Sequence, residues 1–411
     1  MSDGGPDVGI VGAGTAGLHL ALLLQKHGLE PTLYAERTAD EVRRGRLPNT
    51  VVHNHRTRAR EREIGANLWD ETAPPIEGHW HSIPTEHGRL EFPGYFQHPS
   101  LSVDYRLYQS ALLELFEEQG GAVETGPVDA DDLGRLAARH DLVVVSTGRG
   151  GLTELFPPVP GRSPFGQPAR VLSAGLYRGI GSAEDPQHVV LTLLGPLGEI
   201  INIPMETQDG VVEVVLFECV PGGELDVVAR TPYADDPAAH DRLVLETLRT
   251  HAPRVSERID EASFGVVDPT SILQGAIVPT ARESYAELDG GTYAISVGDA
   301  HVQMDPVVGL GANAASISAF AVGQAIVEGG PFDEAFCRRV DERRLPGVMA
   351  HFDFTNFMLA PQPHFFPVIG AVSQSPALAN EFTDNFTDPA RHLAYLESPA
   401  ATEAYLAAFT G

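Results

Sequence analysis

Residues 12–17 read Gly-Ala-Gly-Thr-Ala-Gly, and their surroundings narrow the fold more than any other feature of the chain. The apolar run at 7–12 reads as a short buried strand. Residues 15–27 carry helical spacing, with Leu18, Leu22 and Gln25 on one side and Leu20, Leu23 and Leu24 widening the apolar face. Gly28 stands just past the last turn, where helices commonly end. Residues 31–35 give a second strand, so the segment is a βαβ unit with glycines at its strand-to-helix turn. Gly12 allows the tight turn, Gly14 lets backbone approach a pyrophosphate at the helix N-terminus, and Gly17 lets helix and sheet pack closely. Thr15 and Ala16 complete the turn. Glu36 follows at the distance where a carboxylate holds ribose hydroxyls. The unit therefore reads as a dinucleotide site.

A second glycine cluster identifies the dinucleotide. Gly298-Asp299 opens GDAHVQMDPVVGLGAN, which ends at Asn313. It follows an apolar strand at 292–298 and precedes a helix at 312–328. The segment resembles the second FAD motif of flavoprotein monooxygenases. In that motif the acid binds the ribityl chain, and the glycine-rich helix start lies beside the flavin ring. Asp299 can accept hydrogen bonds from ribityl hydroxyls, and Gly309, Gly311 and Ala312 leave room for a flat ring. The helix dipole there favours negative charge on reduced flavin. Pro306 and Asn313 belong to the same expected cofactor set. Only one G-x-G-x-x-G is present, and the middle strand at 141–147 ends Ser146-Thr147-Gly148-Arg149 without the Asp-Gly of aromatic hydroxylases. NAD(P)H has no visible home.

The 411 residues suffice for two domains. Residues 43–62 are rich in Arg and His with no clean period, and 104–119 return to helical spacing. From about 170 to 219 the pattern changes to short β-branched runs, VVLTLL and VVEVVLF, between Gly and Pro turns. These read as an antiparallel sheet. Residues 237–249 read as a helix, and after Pro346 the chain reads as helical with breaks at Pro361, Pro363 and Pro367. The expected fold is α/β: a Rossmann-like FAD-binding domain of the aromatic-hydroxylase type, an inserted mixed or antiparallel β-sheet substrate domain, and a helical C-terminus. The expected division is 1–160 with 280–345 for FAD, 161–279 for substrate and 346–411 for the helical segment, with part of 46–103 contributing to the pocket.

Charge and cysteine usage exclude other classes. The formal charge is −28 and Lys26 is the only lysine, a field that repels nucleic acid and anionic membrane surfaces. Cys219 and Cys337 form no disulfide framework and no zinc-type spacing, so no metal site is expected and a reducing cytoplasm fits. No signal-type segment precedes the first strand, and no apolar stretch is long enough for a membrane span.

Several stretches beyond the glycine motifs resemble the oxygenase component of the styrene monooxygenases: GIVGAGTAGLHLALLLQ at 9–25, RLPNTVVHN at 46–54, VDYRLYQ at 103–109, SILQGAIVP at 271–279 and SQSPALANEFTDNF at 373–386. They run through nearly the whole chain. The resemblance implies a two-component, FADH2-dependent enzyme. A separate NADH-dependent flavin reductase supplies reduced FAD, oxygen is captured as a C4a-(hydro)peroxyflavin, and one oxygen atom passes to a small aryl alkene to give an epoxide. Asn49, Val51, His53, His79 and Ser100 match the pocket set of the styrene-type members, with Asn49 expected beside the flavin edge as the catalytic residue. Ile76 stands where a Tyr is expected, as in indole-type members, and Pro48 replaces an aliphatic residue. Leu47, Ile76, Leu216, Met304 and Val307 complete the expected pocket, and Arg37, Arg46 and Arg106 the expected cofactor contacts. Two other readings stay open: an indole, sulfide or biosynthetic oxygenase on the same scaffold, and a flavin-binding protein without turnover. The oligomeric state is also open, a homodimer included.

Overall fold

The computed structural model describes residues 5–148, 150–182 and 187–408; Arg149 and the two chain ends of the expected division lie outside them. The first layer is a six-stranded sheet in the order Tyr285–Glu287, Tyr293–Ser296, Leu142–Val145, Val8–Val11, Thr32–Ala35, Ala122–Thr125. Its pairings are parallel except at the edge strand Tyr285–Glu287. Val8–Val11 and Leu142–Val145 are buried at every position, as covered parallel strands require. The helix Thr15–Lys26 covers one face and packs on the helix Gly311–Glu328. Gly323 permits that approach, since a Cβ there would lie 2.6 Å from Leu23 Cδ2. The two glycine motifs are thus carried on neighbouring helices.

The second layer is a nine-stranded mixed sheet. Val171–Arg178, Gly210–Cys219, Gly198–Thr207 and His188–Leu193 pair antiparallel in that order. His188–Leu193 then pairs parallel with Ile76–Thr85, which forms a long hairpin with Gly88–Ser102. Strand alternation gives this sheet two apolar faces. Val215, Phe217 and Cys219 point toward a core closed by the helix Pro237–His251, where Val244 and Leu248 are buried. Val214 and Leu216 point the other way, with Ile201, Ile203, Val189 and Leu191. That second face looks onto the glycine-rich segment at 306–313 and bounds the candidate site.

The C-terminal helices close the far side around Phe354, Phe365, Phe382 and Phe386. Helix formation begins earlier than the sequence suggests. The helix Glu334–Leu359 runs through Pro346. An interior proline costs about 3 kcal/mol. Here packing on both sides holds the helix: Arg344 is fully buried and donates to Ser296 O and Ser284 O, and Val348, Phe352 and Phe354 are buried beyond it. Pro367 lies in the first turn of the helix Phe365–Val372, where no intrahelical N–H bond is lost. Among the described residues no helix is long and apolar enough to cross a membrane.

Candidate active site

The first motif builds an open cradle. Gly12 has φ +108°, and a Cβ on it would lie 2.7 Å from Ser146 Oγ. A Cβ on Gly17 would lie 1.9 Å from Gly12 O, so only glycine lets helix and turn close. A Cβ on Gly14 would meet nothing within 4 Å. Gly14 caps the helix Thr15–Lys26, which has no side-chain cap and no acid in its first turn among the described residues. This helix start thus offers N–H groups without a side-chain cap beside the open space at Gly14, as a pyrophosphate site requires. Glu36 is exposed immediately after the strand Thr32–Ala35, and Arg37 and Arg46 are exposed nearby in sequence.

The second motif abuts the first. Gly298 has φ +58°, and a Cβ on it would lie 3.3 Å from Ala16 Cβ. Asp299 is exposed beside the end of the middle strand: a Cβ on Gly148 would lie 2.8 Å from Asp299 Cβ. Gly309, with φ +64°, closes the turn Pro306–Val308, and Cβ atoms on Gly309 or Gly311 would again meet nothing within 4 Å. Ala312 is half-buried in the first turn of the helix Gly311–Glu328. Two bare helix starts and three open glycines thus share one edge, and these residues fit an FAD. Asn313 does not offer its amide to a ligand. It accepts from Asn54 N (3.1 Å) and Thr57 Oγ1 (2.8 Å) and donates to Val52 O (3.0 Å) and Gly309 O (3.2 Å). It ties segment 52–57 to the glycine loop. Arg106 is likewise engaged, by Asp104 (2.6 Å), Thr270 Oγ1 (2.9 Å) and Ser271 Oγ (3.1 Å).

Beside the glycine loop lies a cavity of about 660 Å³ between the second sheet and Phe386. His79, Ser100, Leu216, Pro306, Val307, Gly309 and Asn313 of the expected residues line it. So do residues that sequence reasoning missed: Thr50, Val52, Asn54, Phe96, Leu191, Ile201, Ile203, Leu310 and Phe386 among them. Val51 and His53 line a different cavity, of about 330 Å³. The reason is the extended backbone of this segment: 50, 52 and 54 face one way, and 51 and 53 the other. Leu47 and Ile76 pack in the apolar layer behind the cavity, and Met304 packs with Val302, Ala314 and Phe352. Asn49 is half-buried, and its Oδ1 has no partner among the described residues.

The large cavity is apolar and uncharged. The His79 ring packs edge-on against Phe96 and Phe386, with centroids 5.0 and 4.9 Å apart. Burial, with His81 and His188 close by, pushes its imidazole well below the ordinary range, so it is neutral. His79 Nδ1 and Ser100 Oγ are buried without a hydrogen-bond partner among the described residues. Behind the wall, Asp305 accepts from Val307 N (3.1 Å) and holds the turn at 306–308. Burial pushes Asp305 up to about 6 and Glu218 well above the carboxylate range. Among the described residues no group of three His, Cys, Asp or Glu is arranged to hold a metal ion.

Residues 148–258 match the family model described as "Styrene monooxygenase A putative substrate binding domain". Styrene monooxygenase StyA of Pseudomonas fluorescens is 39% identical over 398 residues, 95% of each chain. This chain belongs to the styrene monooxygenase family. As a styrene monooxygenase family member it is a flavin-dependent monooxygenase, an oxidoreductase, and its cofactor is FAD. Solved structures carry the same fold at low identity. The flavin-dependent brominase Bmp2 superposes with TM-score 0.67 at 15% identity, covering 93% of each chain. The tetrameric 2-methyl-3-hydroxypyridine-5-carboxylic acid oxygenase gives TM-score 0.61 at 18% identity, covering 92% of this chain and 98% of its own. In this chain the second sheet lines one side of the pocket, and the glycine-rich segment 306–310 with Asn313 lines another.

Proposed function

We propose that this chain is the oxygenase of a two-component system that epoxidises styrene-like aryl alkenes, using reduced FAD delivered by a separate NADH:flavin reductase in the cytoplasm. The observation that carries the reading is the cavity of about 660 Å³ beside Gly309, which is apolar, aromatic-walled and free of charge. Bound reduced FAD supplies the chemistry that activates O2; one oxygen atom goes to the alkene and the other leaves as water. The chain's own residues bind, orient and exclude water. Gly14 admits the pyrophosphate, Glu36 holds ribose, Asp299 holds the ribityl chain, and Arg37 and Arg46 flank the nucleotide. Gly309, Gly311 and Ala312 take the ring edge. Phe96, Phe386, Leu191 and Leu216 enclose the aryl group, and the unpartnered Ser100 hydroxyl and His79 ring face the reacting end. Asn49 lies at the start of the segment that supplies Thr50 and Val52 and is assigned to the flavin edge. Residues 1–160 with 280–345 form the FAD unit, 161–279 the substrate unit and 346–411 the closing helices.

The test is a coupled assay with a generic flavin reductase, NADH, FAD and 18O2, offering styrene, indole and thioanisole, read by mass spectrometry. Styrene oxide carrying one labelled atom is the expected main product. Indole oxidation exceeding styrene oxidation would overturn the substrate class. Flavin bleaching by NADH within seconds, with no reductase added, would overturn the two-component assignment.

A further inference from the structure

The helix His55–Glu63 carries four arginines, Arg56, Arg58, Arg60 and Arg62. Arg58 and Arg62 share Asp70, at 2.8 and 2.7 Å, and Arg56 pairs with Asp388 at 3.0 Å. Arg60 makes neither an ion pair nor a hydrogen bond among the described residues, and its guanidinium carbon stands 5.9 Å from the centroid of the Phe320 ring. Carboxylates are not scarce, since the chain has 56 acidic residues for 28 lysines and arginines. Arg56 lies one turn before Arg60 on the same helix face, where like charges repel. A half-buried guanidinium with a second cation beside it and no anion in reach is costly to hold. Burial, followed by Arg56, lowers Arg60 to about 10, which leaves it charged near neutral pH.

Arg60 borders a cavity of about 400 Å³ whose rim includes the exposed Arg56 and Ala390. Two further sets of donors border it. Asn54 is 7% exposed; its Oδ1 accepts from Arg56 N and Thr57 N, and its Nδ2 finds no acceptor among the described residues. The helix Pro389–Leu396 begins after Asp388, whose carboxylate goes to Arg56 and to Arg391 (3.4 Å). That helix start therefore has no side-chain cap, and Ala390 in its first turn lies on the cavity wall. His351, on the same wall, donates Nδ1–H to Gly347 O at 2.8 Å, and burial lowers it to about 4, so it adds no charge. The charged groups on the wall are then Arg56, Arg60 and Asp388, with Glu63 acting on Arg60 from farther off. Arg56 and Asp388 compensate each other, and the charge of Arg60 is left over.

We propose that this cavity is an oxyanion site, in which the Arg60 guanidinium holds a carboxylate or phosphate and Asn54 Nδ2 donates a further hydrogen bond to it. The planar guanidinium fork matches both groups and presents two parallel donors to either. The uncapped start of Pro389–Leu396 adds N–H groups and a field of the right sign. None of the first-motif residues, nor Gly309, Gly311 or Ala312, borders this cavity, so it is separate from the cradle assigned to FAD. It adjoins the apolar cavity of about 660 Å³, because Asn54, Asn313 and Thr387 border both. An anion held there fixes the Asn54 amide and so bears on that shared wall from behind.

The test is calorimetric titration of inorganic phosphate, and separately of benzoate, into the full chain without flavin in low-chloride Tris near neutral pH, with the melting temperature followed in parallel. Saturable binding of at least one anion is expected, with a melting temperature that rises with its concentration, as linkage requires. The tighter of the two names the source, phosphoryl or carboxylate. Arg60→Gln should weaken that binding at least about tenfold, the loss expected for a charged hydrogen bond. Asn54→Asp keeps an oxygen to cap the helix His55–Glu63 but replaces the free donor with a carboxylate, and should weaken the anion by at least as much. Arg62→Gln removes an exposed arginine of the same helix and should leave binding unchanged. Phosphate also fits the FAD cradle, and binding there survives all three substitutions, so the decisive quantity is the part lost with Arg60→Gln. The melting temperature of each variant without anion reads any purely structural loss. No saturable binding of either anion, binding that survives intact in Arg60→Gln and Asn54→Asp, or an equal loss in Arg62→Gln would each overturn the proposal. With no flavin present, none of these outcomes depends on the cofactor assignment.

Discussion

Gly14 and Gly17 lie three residues apart and have different physical reasons to be glycine. A side chain on Gly17 collides with the backbone oxygen of Gly12, whereas one on Gly14 projects into the open cradle. Gly17→Ala is therefore expected to destabilise the fold by roughly 1–3 kcal/mol, the usual cost of overpacking. Gly14→Ala should fold with the parent's melting temperature and lose FAD affinity. Thermal unfolding without cofactor and an FAD fluorescence titration separate the two effects. Equal melting temperatures for both variants, or parental FAD affinity in Gly14→Ala, would mean the cradle has been misassigned. Both glycines were legible in the sequence because the constraint is local: a strand, a turn and a helix within a few residues leave few alternatives. Asn313 was legible only as a member of the motif. Its work, four hydrogen bonds reaching across to 52–57, depends on residues far away in the chain.

At the scale of elements, the segment at 50–54 shows what a sequence pattern leaves open. Resemblance singles out Asn49, Val51 and His53, while the face toward the apolar cavity carries Thr50, Val52 and Asn54. A one-residue step turns every side chain to the other side, and the short strand Val52–His53 alone gives too little alternation to fix the phase. Val52→Phe should crowd the large cavity, raising KM for styrene at least several-fold with FAD affinity unchanged. Val51→Phe should spare KM and instead lower stability, since Val51 is 8% exposed in the core under the first layer. A reversed pattern in steady-state epoxidation and thermal unfolding would invert the facing. The hairpin Ile76–Thr85 and Gly88–Ser102 was similarly hidden. It joins the substrate sheet by a parallel pairing with His188–Leu193, a contact of large sequence separation that no local signal announces.

At the scale of the whole molecule, the internal histidines set how the fold responds to acid. His19, His79, His81, His301, His351 and His392 are all buried, and burial pushes every one of them down: His19 and His351 to about 4, His81 and His392 to about 3, His79 and His301 well below the ordinary value. In the unfolded chain each binds a proton near 6.5, whereas in the folded chain none does until the medium is far more acidic. Below that value the unfolded state holds more protons, so stability falls as pH falls. Each group contributes about 1.4 kcal/mol per pH unit once it titrates. Several together therefore match the roughly 5–15 kcal/mol that holds a domain folded. Asp305, Glu218, Glu213, Glu206 and Asp241 act in the opposite sense, because burial raises all five, and protonation near pH 6 relieves Asp305. Burial lowers the half-buried His55 and the buried His240 as well, and the depressed carboxylates Glu61, Asp70 and Asp268 also lose their stabilisation in acid, so the histidine side sets the direction. The melting temperature, followed by circular dichroism, is expected to be level from about pH 8 to pH 7 and to drop steeply below about pH 6, despite the relief that acid gives to a chain of net charge −28. His81→Phe keeps the ring beside Phe92 and Phe382 while removing one titrating group, and should make that drop shallower. A melting temperature that holds or rises down to pH 5 would show that the carboxylates, not the histidines, govern the acid limb.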